Sequence, residues 1–388
     1  MRLLFFRLVS FVESLIVAPK PASAPRAAFS TLNHPRDYAE FDVTLRCIFI
    51  GFALLLTCAA PAPRALAQPE PKASTLQQIE KRGAVVCGVA APSPGFAQQD
   101  AAGVWSGFDI DFCRALATAT FDDPDKIRIA PLTAKERLAA LQSGAVDLLP
   151  RGAPWTEARD AGQQLLYATI TFYGGQGFLA RRKPEQPKAR ELADVTVCLQ
   201  QGTSLELDLA DFFRARAADY KSRLFPSLDE AVKAYDAGQC DLVSADIAAL
   251  HVARAKLARP GDHAVLPELI TKAPAGPIVR QGDDQWFNIV RWTHFAMLDA
   301  EELGVNSANA DESLRSESPD IRRLLGVDGD FGEGLGLHAD WAYRVVKKVG
   351  NYGEVFERDL GQASPLAMER RQNALWSKGG LMYAPPAR

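Results

Sequence analysis

The 388 residues, 47% hydrophobic and 23% charged, can fill more than one apolar core and exclude a disordered or collagen-like chain. Forty-four Lys and Arg against 47 Asp and Glu leave a net charge of −3, without the basic excess that a phosphate-neutralising nucleic-acid binder requires. A small molecule is the expected partner.

Residues 1–67 read as targeting sequence. Arg46 precedes an apolar run over residues 47–60, short of the roughly 20 residues of a membrane span. Ala65, Leu66 and Ala67 then give the small-x-small pattern of a cleavage site before Gln68, pointing to an exported mature protein. The competing reading, a membrane anchor, fits poorly with Pro61, Pro63 and Arg64 directly after the run. In residues 1–45, Arg7 and Glu13 interrupt the apolar stretch, which suggests a start called too early. The next methionine is Met297, so a later start would use a non-standard codon, for example at Val43 or Leu45.

Export would leave Cys87, Cys113, Cys198 and Cys240 in an oxidising compartment, with three possible pairings. Cys87–Cys113 and Cys198–Cys240 are favoured because each closes a loop inside one half of the chain; buried free thiols are the alternative. No Cys-x-x-Cys spacing supports a zinc ribbon or a redox pair.

In chain order, Ala84-Val-Val-Cys-Gly-Val89 predicts a buried strand. Gly107-Phe-Asp-Ile-Asp111 then opens a helix with Phe112, Ala115, Leu116 and Ala119 on one face, and Ile127-Arg-Ile-Ala-Pro131 is the next strand. The most informative feature follows. Ala140-Leu-Gln-Ser-Gly144-Ala-Val-Asp147-Leu-Leu-Pro-Arg151 returns as Ala234-Tyr-Asp-Ala-Gly238-Gln-Cys-Asp241-Leu-Val-Ser-Ala-Asp246. In both copies an apolar-faced helix ends at a glycine and a short apolar strand follows, closing on a charge: Arg151 in one, Asp246 in the other. Ligands of open α/β sheets lie beyond the carboxyl ends of the strands, so two such halves face to face would offer a cation and an anion to a zwitterion.

Thr171-Phe-Tyr-Gly-Gly-Gln-Gly-Phe-Leu-Ala180 reads as an extended strand, and the polar residues 181–188 as the first crossing between halves. Val195-Thr-Val-Cys-Leu199 starts the second half. Gln201-Gly-Thr-Ser204 leads into a helix through Leu205, Leu209, Phe212 and Phe213, and its backbone donors would favour an anion. Plain capping by Thr203 or Ser204 is the bland alternative. A return crossing is expected near Ala273-Pro-Ala-Gly-Pro277, then helices over residues 286–298 and 340–349. Gly326, Gly329, Gly332, Gly334 and Gly336 read as a plain loop, since no Gly-Lys-Ser/Thr follows.

Several motifs together resemble a known family: Gly107-Phe-Asp-Ile-Asp111, Leu132-Thr-Ala-Lys-Glu-Arg137, Gln142-Ser-Gly144, Gly175-Gln-Gly-Phe178, Gln201-Gly-Thr203, Arg280-Gln-Gly-Asp-Asp-Gln-Trp286, Arg322-Arg-Leu-Leu-Gly326 and Asn373-Ala-Leu-Trp376 through Met382-Tyr-Ala-Pro-Pro386. The family is that of the periplasmic substrate-binding proteins of ABC importers, and its general L-amino acid subgroup in particular. The resemblance implies a two-lobed type II α/β fold in which each lobe is a sheet flanked by helices, with two crossover strands and a helical C-terminal extension. Lobe 1 would comprise residues 75–180 and 278–388, and lobe 2 residues 181–277.

The implied function is capture of an amino acid or related zwitterion by a monomer and delivery to the membrane subunits of an ABC permease, with no cofactor, metal or covalent chemistry. Arg159, in Trp155-Thr156-Glu-Ala-Arg159, matches the arginine that pairs with the ligand carboxylate. Asp246 matches the acid that receives the ammonium, and Thr203 beside Gly202 the second-lobe donor. Ser93 and Phe96 lie on the loop that covers the side chain, and Arg151 and Gly152 complete the expected wall. A guanidinium fork suits a carboxylate, and charge-assisted bonds of about 1.5–3 kcal/mol each allow micromolar affinity.

Departures from the subgroup are visible. Gly152-Ala153-Pro154 stands where polar Asn-Thr-Thr is usual, Gly174 where an aspartate is, and Ser244-Ala-Asp-Ile-Ala248 where hydroxyl and amide groups are commoner. With donors missing, a larger or more apolar ligand side group is expected than general amino-acid binders select, and tight glutamate or aspartate binding would contradict that expectation.

The alternatives are a prephenate-type cyclohexadienyl dehydratase on the same scaffold, with Glu157 or Asp160 as general acid, and a sensor that reports its ligand to a membrane receptor. His34, His251, His263, His294 and His338 lack metal-ligand spacing, and no Gly-x-Ser-x-Gly elbow occurs.

Overall fold

The computed structural model describes residues 73–162 and 165–387. The expected targeting segment, the cleavage after Ala67 and the alternative starts lie outside the described residues.

Lobe 1 is built on Val85–Val89, which pairs in parallel with Ile127–Pro131. The stretch after Gly144 is expected as a strand, and here it makes single bridges only, Leu148 to Cys87 and Leu149 to Ile278. Ile278–Arg280 then pairs antiparallel with Leu165–Tyr167 and completes this side. Gly144 caps the helix Arg137–Ser143 with a φ of +82°, where a side chain would strain the turn. Helix Phe108–Phe121 buries Phe112, Ala115, Leu116 and Ala119 as the periodicity predicts, and it buries most of its other positions too. Helix Trp341–Lys348 of the C-terminal region packs against it and covers what would otherwise be its outer face.

Lobe 2 carries a five-stranded sheet in the order His263–Val265, Gln176–Arg181, Leu242–Asp246, Val195–Gln200, Tyr220–Phe225. Leu242–Asp246 and Tyr220–Phe225 run parallel to Val195–Gln200, while Gln176–Arg181 is antiparallel to both of its neighbours. Gln176–Arg181 thus belongs to the second lobe, and the chain crosses earlier than the polar residues 181–188. Phe172–Gly174 is the outgoing segment and pairs antiparallel with Ala273–Ala275 on the return. The polarity of residues 181–188 marks an exposed loop beyond the strand.

One disulfide joins Cys87 of the first strand to Cys113 of helix Phe108–Phe121, and the other joins Cys198 to Cys240 just before Leu242–Asp246.

The C-terminal region ties the two lobes at the crossing. Arg370 grips Glu301 of helix Asp284–Glu302 through two bonds of 3.0 and 2.9 Å. Arg371 donates to the carbonyl of Leu266 in lobe 2 at 2.9 Å. Asn373 pairs through its side-chain amide with both the N–H and the carbonyl of Tyr173, on the outgoing crossing.

His294 lies buried on helix Asp284–Glu302, with Nδ1 3.1 Å from the Thr169 hydroxyl. Burial holds its pKa down at about 3, so the folded protein keeps it neutral while the unfolded chain protonates near 6.5. This contribution to stability is intact above pH 6.5 and is lost as pH falls toward 3. Between pH 7 and pH 5, wild type is expected to lose about 2 kcal/mol more than His294→Gln in urea denaturation. Equal slopes for the two proteins would remove His294 from the account.

Candidate functional site

Arg151 and Asp246 are the charges that close the two echoed segments. Arg151 follows the bridged residues Leu148 and Leu149 and is fixed on three sides by lobe 1. Its Nε donates to Asp109 at 3.2 Å, its Nη2 to the Ser93 hydroxyl at 3.2 Å, and its guanidinium lies 3.7 Å from the centre of the Phe96 ring. Asp109 is buried, and desolvation pushes its carboxyl above the usual range while Arg151 pulls it back.

Phe96 is only 1% exposed and packs edge-on against Phe108 and Phe172. It forms an apolar floor beneath Arg151. A ring held between two others buries its area more fully in the core than on a cleft wall.

Arg159 lies on Glu157–Gly162, and its Nη1 donates to the carbonyl of Pro154 at 2.8 Å. Thr156 accepts the N–H groups of Arg159 and Asp160 through its carbonyl, which sets that turn. Trp155 stacks on Tyr167 at 5.0 Å and donates its backbone N–H to Pro274 on the return crossing. Gly152 is buried, and a Cβ there would come within 2.8 Å of Ile278 Cδ1. Its carbonyl accepts a hydrogen bond from Nη1 of Arg137.

Asp246 ends Leu242–Asp246 and caps helix Ile247–Ala255, accepting the Ala248 N–H at 2.9 Å. Its side chain still meets solvent, yet enough protein surrounds it that desolvation raises its pKa; the Ala248 N–H and Arg151 act the other way. The cation that Asp246 feels is therefore Arg151. Gln176 lies opposite Asp246 in the strand register. Its buried amide donates to the Leu205 carbonyl and the Ser244 hydroxyl, and its Oε1 has no partner among the described residues.

At the second-lobe turn the plain capping by Thr203 or Ser204 does not form. Gly202 donates its N–H to the Glu206 carboxylate, the Thr203 hydroxyl donates to the Gln200 carbonyl at 3.1 Å, and Ser204 makes no side-chain cap. A carboxylate one turn into the helix meets the positive end of the dipole and outcompetes a hydroxyl. A ligand anion at Gly202 and Thr203 would have to displace Glu206.

Two other concavities lie elsewhere. One, of about 340 Å³, is lined by Asp111, Arg114, Lys348 and Arg358, but these cations already pair, with Asp111 or with Asp122. The other lies where the C-terminal residues 368–373 cover the crossing and lobe 2.

Two lobes joined by a paired crossing, with cations at the end of one and a carboxylate at the end of the other, define a two-lobed solute-binding protein of type II. Residues 85–305 match the model of the bacterial extracellular solute-binding proteins, family 3. The general L-amino acid-binding periplasmic protein AapJ of Rhizobium johnstonii is 48% identical over 87% of this chain and 97% of its own. The glutamate/glutamine/aspartate/asparagine-binding protein BztA of Rhodobacter capsulatus is 43% identical over 81% of this chain and 94% of its own. An ABC transporter periplasmic binding protein from Brucella ovis, solved with glutathione bound, is 47% identical with a TM-score of 0.71, covering 82% of this chain and 100% of the other. The chain belongs to the bacterial extracellular solute-binding proteins, family 3.

Proposed function

We propose that the ligand carboxylate sits against Arg159 and Arg151 on lobe 1 and that its ammonium is received by Asp246, with Gln176 Oε1 as a second acceptor. The protein is a periplasmic binding protein that captures an amino acid or related zwitterion and delivers it to an ABC permease; the similar proteins above are binding proteins rather than enzymes. What carries the reading of the site is the opposition of charge at the ends of the echoed segments, where Arg151 reaches Asp246 electrostatically. An ammonium has three donors, and Asp246 and Gln176 lie side by side on neighbouring strands to accept them.

Export with cleavage after Ala67 and action as a monomer complete the proposal; the mass of the secreted protein and its sedimentation check both. The binding reading is tested by thermal shift against amino acids, γ-glutamyl peptides and keto acids. A ligand at about 100 times its Kd stabilises by about 2.7 kcal/mol, enough to raise the melting temperature by about 5 °C. Keto acids, which lack the ammonium, are expected to give no shift. A keto acid that stabilised as well as its amino-acid counterpart would overturn the role of Asp246.

A further inference from the structure

We infer that Arg254 and His251 are positioning residues for ligand capture: both grip the Leu366 carbonyl of the C-terminal region, and this latch holds the two charged ends of the cleft together. For its effect on binding the inference rests on the zwitterion reading above. His251 and Arg254 lie on helix Ile247–Ala255 of lobe 2, the helix that Asp246 caps. Nδ1 of His251 lies 3.1 Å from the Leu366 carbonyl oxygen, and Nη2 of Arg254 donates to the same oxygen at 2.7 Å. A carbonyl only accepts, so the imidazole carries its proton on Nδ1. Leu366 itself belongs to lobe 1. Met368 donates its N–H to the Leu360 carbonyl at 2.8 Å, which folds the chain back onto the end of helix Tyr352–Asp359. The Leu366 side chain lies against Gly95, where it and Leu360 leave no room for a Cβ.

Leu366 thereby stands between the two charges of the cleft. Gly95 sits in a turn closed by hydrogen bonds of 2.8 Å between the backbones of Ser93 and Ala97, and the Ser93 hydroxyl of that turn holds Arg151. On the other side, the helix that grips Leu366 has Asp246 at its N-terminus. Turn and helix are each tied by their own backbone bonds, so each moves as a unit. The bonds to Leu366 join the lobes outside the paired crossing strands, and a rotation about the crossing must stretch them. Their chemistry makes them hard to replace. His251 is buried, and burial holds its pKa down at about 4, which keeps the ring neutral. Burial and the neighbouring Arg182 disfavour the charge on Arg254, with Glu369 offsetting part of the effect, and Arg254 Nε is buried without a hydrogen-bond partner. Such a guanidinium depends on the acceptor it has, and one charge-assisted bond shifts an equilibrium about 10- to 100-fold. Arg371, from the same C-terminal region, adds bonds of 2.9 and 3.4 Å to the Leu266 and Val265 carbonyls of lobe 2.

The test compares wild type with Arg254→Met, which keeps an unbranched stem and loses the donors, with Arg254→Lys, which keeps a cation, and with Arg371→Met. Small-angle X-ray scattering of the ligand-free proteins reads the opening between the lobes, and stopped flow with L-glutamine and with glutathione reads ligand release. Arg254→Met should have the larger radius of gyration and release its ligand about 10- to 100-fold faster, with little change in association rate. Arg254→Lys should stay close to wild type in both readings, and Arg371→Met should shift both in the same direction by less. Equal radius of gyration and equal release in wild type and Arg254→Met, whatever their urea midpoints, overturn the inference and leave the contacts with a structural role only. If Arg254→Met does not fold, Arg371→Met decides by the same two readings. If no amino acid or peptide binds, the zwitterion reading falls, and the scattering of the ligand-free variants still decides whether the latch holds the lobes.

Discussion

Asp246→Asn is expected to weaken ligand binding about 100-fold while leaving the fold nearly as stable as wild type. The substitution separates two roles of one side chain. As the cap of helix Ile247–Ala255, Asp246 accepts the Ala248 N–H, and asparagine caps about as well, so the cost there is a few tenths of a kcal/mol plus at most about 1 kcal/mol of dipole interaction. As the partner of an ammonium it cannot be replaced by a neutral amide. A charge-assisted bond contributes about 1.5–3 kcal/mol, and stranding one charge of a desolvated pair costs about 3–5 kcal/mol. The binding effect therefore dominates. Wild-type affinity should also fall on acidification in a range above that of an ordinary aspartate, because desolvation raises this carboxyl and its protonated form cannot hold an ammonium. Calorimetry at several pH values checks both points, and an Asn variant with wild-type affinity would exclude Asp246 from the site.

Gly276→Ala is expected to cost about 3 kcal/mol of stability. Gly276 follows Ala273–Ala275 on the return crossing, where a Cβ would lie 2.0 Å from the Thr169 carbonyl oxygen and 3.1 Å from the Thr171 nitrogen. Both are backbone atoms of the outgoing chain, so no rotamer relieves the clash and the two crossings must separate. Gly175 has the same relation to Thr271, at 2.3 Å, on the other side of the crossing. Gly334→Ala, with open space around its Cβ, serves as the control and should change little. Urea denaturation of the three proteins measures the difference, and a Gly276→Ala variant as stable as the control would show that the crossings do not approach so closely.

Much of the secondary structure around the candidate site is legible in the sequence because its signals are local. The echo of helix, glycine and apolar run marks Arg151 and Asp246 as the charges that close their segments, since a glycine cap and a short apolar run are written within a dozen residues. Arg159 is legible only through the motif around Trp155, and Arg137 lies in a motif that gives no sign of its partner. Nothing local says that Arg137 turns toward Gly152, 15 residues further on; that depends on where the bridged residues Leu148 and Leu149 carry the chain. Gln176 carries no local signal for the same reason, because its partners Leu205 and Ser244 come from another helix and another strand.

By itself the sequence determined the alternation of elements, the glycine at the end of the helix in each echoed segment, and the opposite charges that close those segments. Periodicity and cap chemistry depend on neighbours three or four residues apart, and these are fixed by the chain order. Only the tertiary structure decided that Phe96 lies beneath Arg151, that Glu206 occupies the turn at Gly202, that the first crossing precedes Gln176, and that three guanidiniums share one end of lobe 1. Each of these is a choice among partners of comparable chemistry. Packing makes that choice, by which surfaces meet once both sheets have formed and what remains within hydrogen-bond reach.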